Sequence, residues 1–174
     1  MNRWIEELQR DCPVIAPVAR GGVTSFREIE EPSEIDWDYT TTTIPPSKII
    51  YSPQRTLLRF VKTGDRYRIQ EVLPQSEKRV LLGVHPCDLH GLLVLERTFL
   101  GDTKDAYYAA ARAGFLVVGL NCQSVGEKCF CASMGTGPFF GYWMGQGPPQ
   151  GCDALLTDLG DRFLVETFGE RGES

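Results

Sequence analysis

The sequence lacks most of the features that would settle its class at once. No run approaches eighteen apolar residues, so no segment is read as a transmembrane helix. The opening residues, MNRWIEELQRDCP, carry Glu6, Glu7 and Asp11 where a secretory signal needs an apolar stretch. Lysine and arginine are not clustered. The net charge of -5 and pI near 5.1 exclude the basic surface that phosphate backbones require. No Ser, His and Asp arrangement and no paired carboxylate stands out as a catalytic set, so the chain alone is not expected to turn over a substrate. The reading is of a soluble cytoplasmic chain of 174 residues, long enough to bury one core, with no nucleic acid and no membrane span.

What is present is cysteine, six residues of it. In a reducing compartment a disulfide framework is not expected, and metal or redox chemistry takes its place. Three of the six lie in NCQSVGEKCFCASMGTGP, residues 121–138, where Cys122, Cys129 and Cys131 are separated by six and by one residue. This is neither the CxxC of a zinc finger nor the CxxCxxC of a ferredoxin.

Coarse periodicity places these thiols. WIEELQR (4–10) reads as a brief helix, and the acidic, proline-bearing stretch 27–47 as an extended surface arm. Residues 1–47 are therefore assigned to an irregular N-terminal helix and arm, and 48–174 to the domain proper. Short strands are expected near 48–51, 57–61 and 66–72. RVLLGV (79–84) and FLVVGL (115–120) are apolar runs of buried-strand length. Between them one helix starts at Asp88 as N-cap and runs through Leu89, Leu92, Leu93 and Leu95 to Gly101. A second spans Thr103 to Ala113. Strands at 154–157 and 162–168 follow. The pattern predicts an α/β fold with a mainly parallel sheet and a strand–helix–helix–strand crossover.

Topology then supplies a fourth thiol. The carboxyl ends of neighbouring parallel strands lie on one sheet edge, about 5 Å apart. Cys87 follows the first strand and Cys122 the second, while Cys129 and Cys131 sit on a loop leaving the same edge. Four thiolates suit an iron–sulfur cluster or a structural zinc. The stretch 121–151 is rich in glycine and aromatics, with only Glu127 and Lys128 charged. Such a wrapping excludes water and lets backbone N–H groups approach cluster sulfides, so the reading favours one 4Fe-4S cluster on Cys87, Cys122, Cys129 and Cys131. Zinc and unligated thiols stand as alternatives. Cys12 and Cys152 are read as ordinary buried residues. His85 is read as a packing element rather than a ligand, and His90 as surface or satisfied core. Gly135, Gly137 and Gly141 do not lie between a strand and a helix as a phosphate loop requires. Phe139, Phe140, Tyr142, Trp143 and Met144 are either core or a docking patch for a partner.

HPCDLHGL (85–92), ERTFLGD (96–102), GLNC (119–122), CFCASMGTGP (129–138) and DALLTDLGDRFLVE (153–166) together resemble the N-terminal domain of sulfhydrogenase beta subunits and of the related A subunit of anaerobic sulfite reductases. PPSKIIYSPQRTLLRF (45–60) fits the same pattern, and the likeness covers about residues 45–171. It implies an electron carrier in a cytoplasmic multi-subunit redox enzyme, passing electrons between a flavin-containing subunit and a catalytic one. In that family a ferredoxin-like segment with two CxxCxxCxxxCP repeats normally follows. Here the sequence closes on Gly172, Glu173 and Ser174 without one, so a truncated or a stand-alone form is expected, with no relay of further clusters on this chain.

Overall fold

The structure is a computed structural model that describes residues 1–140 and 151–173. In chain order it runs α1 (Asn2–Asp11), β1 (Val14–Arg20), β2 (Val23–Glu28), a 3-10 turn (Pro32–Glu34), α2 (Ser47–Ile50), β3 (Leu58–Thr63), β4 (Arg66–Glu71), β5 (Arg79–Val84), α3 (Pro86–Phe99), α4 (Ala106–Ala113), β6 (Phe115–Leu120), α5 (Cys131–Met134), β7 (Ala154–Asp158), β8 (Phe163–Thr167) and α6 (Gly169–Glu173). Six strands form one sheet in the order β2-β1-β5-β6-β7-β8, and β3-β4 form a separate two-stranded ribbon. The four inner strands run parallel to one another, and the two edge strands pair antiparallel to β1 and β7. The predicted α/β architecture with its strand–helix–helix–strand crossover is therefore present, through β5, α3, α4 and β6.

The inner strands read as unbroken apolar runs because both of their faces are covered. Val80, Leu81, Leu82 and Val84 of β5, Val117, Val118 and Leu120 of β6, and Leu155 and Leu156 of β7 are all buried. Leu89 and Leu92 of α3 and Tyr108 of α4 are buried with them, while Ile5 fixes α1 to the core. Each such side chain contributes roughly 1.5–3 kcal/mol on burial.

Three local features differ from the sequence expectations. The stretch expected as a strand at 48–51 is the helical turn α2, for which Pro46, held at φ -60°, sets up the backbone ahead of Ser47. The first crossover helix begins earlier than Asp88. Its N-cap is His85 and Pro86 occupies the first turn, leaving Asp88 inside that turn instead of capping it. The second helix begins at Ala106, capped by Asp105, whose carboxylate accepts from the Tyr108 N–H at 2.7 Å.

The largest addition is at the N-terminal side. Residues 14–28, expected within an irregular arm, form β1 and β2, and β1 pairs in parallel with β5. The arm proper, from Ile29 to Pro46, is largely irregular, but it is not merely a surface strap: Ile29, Ile35 and Tyr39 are buried.

One backbone feature sets the direction of the chain as it leaves β5. The register with β6 shifts between Leu82 and Val84, and Gly83 there has φ +83°. A Cβ at Gly83 would also stand 3.1 Å from Cδ of Pro17 on β1. The bulge thus needs glycine for both conformation and space, and it re-aims the residues that follow. Gly83→Ala is expected to cost roughly 1–3 kcal/mol, the range for a strained backbone position. Urea unfolding followed by circular dichroism measures it, and an unchanged midpoint would contradict this role for the bulge.

Candidate functional site

The site lies at the carboxyl edge of the parallel sheet, where β5 and β6 end side by side. Chain leaving β5 passes through His85 and Pro86 into the first turn of α3, which carries Cys87. Chain leaving β6 passes through Asn121 to Cys122. Asn121 is buried and fixed three ways. Its N–H donates to Leu156 O at 2.9 Å, its side-chain amide donates to Thr157 Oγ1 at 2.8 Å, and its side-chain oxygen accepts from the Phe140 N–H at 2.7 Å. The Cys122 N–H donates to Pro138 O at 3.2 Å. Asn121 and Cys122 thus fold the far end of the cysteine loop back onto the edge.

Within that loop, the Cys129 N–H donates to Gly126 O at 3.0 Å, closing a turn. Cys131 opens α5, which ends at Gly135 in the left-handed region, and the Thr136 N–H donates to Cys131 O at 2.9 Å. A Cβ on Gly137 would stand 3.1 Å from Cys131 Sγ and 3.6 Å from the Pro86 side chain, so the loop glycine leaves the Cys131 thiol room beside the start of α3. A Cβ on Gly126 would lie 3.5 Å from Cys129 Sγ and 3.9 Å from the Thr40 side chain. The arm therefore reaches the same place.

Electrostatics records the same grouping. Burial pushes the Cys122 thiol up to about 12, and the next contributions come from Cys87, Cys131 and Cys129 in that order, then Asp88. Burial also pushes Cys87 up to about 11, followed by Asp88, Cys131 and Cys129. The four thiols are near enough that ionising one raises the cost of ionising another. Asp88, one residue from Cys87, is itself raised to about 6 by burial. The start of α3 offers Cys87 a favourable dipole, yet desolvation outweighs it in the metal-free chain.

Two rings that the sequence reading did not place together support this edge. Tyr39 of the arm stacks on His85, with centroids 3.9 Å apart and planes 1° from parallel. The Tyr39 hydroxyl donates to Gly83 O at 2.7 Å, tying the arm to the bulge. Burial lowers His85 to about 4, opposed by a hydrogen bond to the Thr40 backbone, so the ring is neutral at pH 7. His85 is the packing element expected of it. His90 lies on α3 beside Phe140, with centroids 4.8 Å apart. No local pattern marks Tyr39; only the tertiary path of the arm brings it here.

The remaining expectations divide. Cys152 is buried in the core and Cys12 is half-buried beside it, neither sharing the four-thiol edge. Of the aromatic run, Phe139 is exposed, Phe140 packs against the core, and Tyr142, Trp143 and Met144 lie outside the described residues. Among the described residues no helix is long and apolar enough to cross a membrane.

A single tetrahedral ion needs each sulfur about 2.3 Å from one point. Among the described residues no group of three or more His, Cys, Asp or Glu side chains is set to hold a metal ion. The chemistry of the donor set is four thiols, with glycines against two of them and Asp88 beside Cys87, and thiolates are the ligands that iron–sulfur clusters and structural zinc take. Metal binding requires thiolates and so releases protons on loading.

The raised thiol values give a pH test of the metal-free chain. A thiol whose folded value lies above its ordinary 9.0 contributes stability that is present below pH 9 and lost as pH rises through about 11 for Cys87 and about 12 for Cys122. Alkylation of these two by iodoacetamide should be slow at pH 7 and accelerate above pH 9, and the double variant Cys87→Ser, Cys122→Ser should lose less stability over that alkaline range. Cys87 is exposed and Cys122 half-buried, so rapid labelling at pH 7 would contradict the raised thiol values rather than access to the sulfurs.

The chain is 32% identical over 159 residues to sulfhydrogenase 2 subunit beta of Pyrococcus furiosus, an alignment that covers 91% of this chain and 43% of that relative. It therefore spans less than half of the relative's length. No family model matches the chain. No solved structure matches it.

Proposed function

Because the chain belongs, over its aligned 159 residues, to the family of sulfhydrogenase beta subunits, we propose that it is an electron-transfer domain of a multi-subunit oxidoreductase, with one 4Fe-4S cluster held by Cys87, Cys122, Cys129 and Cys131. The observation that carries this reading is the grouping of four thiols from two strand ends and one loop on a single sheet edge. A cluster there would supply single-electron exchange with a neighbouring centre.

The rest of the chemistry belongs to the protein. Cys87 and Cys122 follow the paired ends of β5 and β6 and would hold one side of the cluster. Cys129 and Cys131 come from the loop, which Asn121 and Pro138 fasten to that same edge. Gly126 and Gly137 let the backbone approach the Cys129 and Cys131 thiols closely, leaving free the space that a side chain would take. The neutral His85 ring and Tyr39 wall off the inner side from water. Low local polarity of this kind tunes the potential of a bound centre.

We assign catalysis to other subunits. We place the chain in a cytoplasmic complex with a flavin-containing subunit and a catalytic one, in keeping with a relative named as one subunit of a sulfhydrogenase. The test is ligand replacement. Serine at Cys87, Cys122, Cys129 or Cys131 should each abolish or convert the visible absorbance of anaerobically purified protein, because a hydroxyl is a far poorer iron ligand than a thiolate. Cys12→Ser and Cys152→Ser should leave the spectrum intact. Loss of absorbance in the Cys152 variant alone would show that the ligand set is wrong.

A further inference from the structure

The ribbon β3-β4 stands outside the six-stranded sheet, and its twelve strand positions are all exposed. Cross-strand register sorts its side chains onto two faces. Leu58 opposite Glu71, Phe60 opposite Ile69 and Lys62 opposite Tyr67 share one face. Arg59 opposite Gln70, Val61 opposite Arg68 and Thr63 opposite Arg66 share the other. The first face is thus apolar at its centre and the second strongly basic. Phe60, Ile69 and Tyr67 are 62%, 62% and 69% exposed, and Leu57 and Leu73 continue the apolar surface at the base.

A two-stranded hairpin is marginally stable in water on its own. This one is held at its root, where the Tyr107 hydroxyl on α4 lies within hydrogen-bond distance of two acceptors, Leu57 O at 3.1 Å and Glu71 Oε1 at 3.0 Å, and its one proton serves either. Arg55 lies over the Tyr51 and Tyr107 rings at 4.3 and 5.8 Å. Beyond the root nothing among the described residues covers the ribbon. Arg59, Lys62, Arg66 and Arg68 have no ion-pair partner among the described residues, although the chain as a whole carries a charge of -5. Lys62 lies over the Tyr67 ring at 5.8 Å, and a local excess of cations without carboxylate partners beside exposed aromatic and aliphatic side chains, on an otherwise acidic chain, is the composition of an interface rather than of a solvated turn.

We propose that β3-β4 docks an acidic protein partner, whose apolar surface covers Leu58, Phe60, Tyr67 and Ile69 and whose carboxylates meet Arg59, Lys62, Arg66 and Arg68. Two arguments select a protein with that charge. Both outer edges of the ribbon are unpaired, and their free N–H and C=O groups are met by a peptide strand but not by lipid. A second copy of this chain docked through the basic face would set arginine against arginine, which disfavours that contact, and a copy docked through the apolar face would leave Arg59, Arg66 and Arg68 unmet. The ribbon is anchored through α4 and uses none of the four cysteines, so this assignment stands or falls apart from the cofactor.

The test uses the full chain, tagged and expressed in its own host, with the photo-crosslinker p-benzoylphenylalanine in place of Phe60. The expected result is a cross-link to a peptide of another protein that combines apolar residues with Asp or Glu. Affinity for that identified protein, measured with purified components, should then fall at least about tenfold in Phe60→Asp, Ile69→Asp, the scale of losing central anchors. The variant Arg66→Glu, Arg68→Glu, which leaves the apolar face alone, should weaken binding and flatten its salt dependence. It decides the matter by itself if the first variant melts early. A cross-link only to lipid, only to a second copy of this chain or to nothing would overturn the proposal, as would unchanged affinity in the arginine variant. Iron content of the same preparations reports separately on the cysteine site.

Discussion

Everything at the candidate site depends on the parallel pairing of β5 with β6. Two adjacent strands running in the same direction end on one edge, and the residues that follow them are neighbours however far apart they lie in the chain. Cys87 and Cys122 owe their proximity to this pairing and to nothing local. Val80, Leu81, Val117 and Val118 are buried within the same pair, so the contacts that hold the core together also set the spacing of the first two thiols. A cofactor site built on such an edge has a rigid half and an adaptable half. Strand ends supply the first, and a glycine-rich loop supplies the second.

The edge is completed from the opposite end of the sequence. Gly83 bends the end of β5, the Tyr39 hydroxyl accepts that bend by donating to its carbonyl, and the Tyr39 ring lies flat against His85. The arm from Ile29 to Pro46 is consequently part of the site's wall. This gives its irregular backbone a physical reason: a segment that must cross the sheet edge and insert one aromatic ring cannot also run as a regular helix or strand. The pairing of β1 with β5 carries the arm's root to the correct side.

How much of this was legible in the sequence follows from which forces are local. β5 and β6 were readable because strands buried on both faces are continuous apolar runs with sharp limits, and 79–84 and 115–120 are such runs. The convergence of four cysteines followed from that topology without any motif. β1 and β2 were not readable in the same way. β1 carries Pro17 within it, and β2 alternates weakly with one buried residue, so neither announces a strand until β5 offers a partner. The start of α3 was misplaced and the turn α2 was read as a strand where proline, through its fixed φ, mattered more than local pattern or a capping side chain, at Pro86 and Pro46. Tyr39 could not be found at all, since its role depends on a ring 46 residues away. The family likeness read from HPCDLHGL, GLNC and CFCASMGTGP agrees with the relationship to a sulfhydrogenase beta subunit.

The exposed ribbon and the cysteine edge use different parts of the chain, so the proposed recognition surface and the proposed redox centre can each be altered without the other. The cysteine edge carries the central claim, and metal and sulfide analysis tests it most directly. The chain should be purified under strict anaerobiosis and its iron, acid-labile sulfide and zinc measured against protein concentration. The account predicts about four irons and four sulfides per chain with negligible zinc, as one 4Fe-4S cluster on four cysteines requires. A colourless protein with one zinc per chain and no sulfide would contradict it.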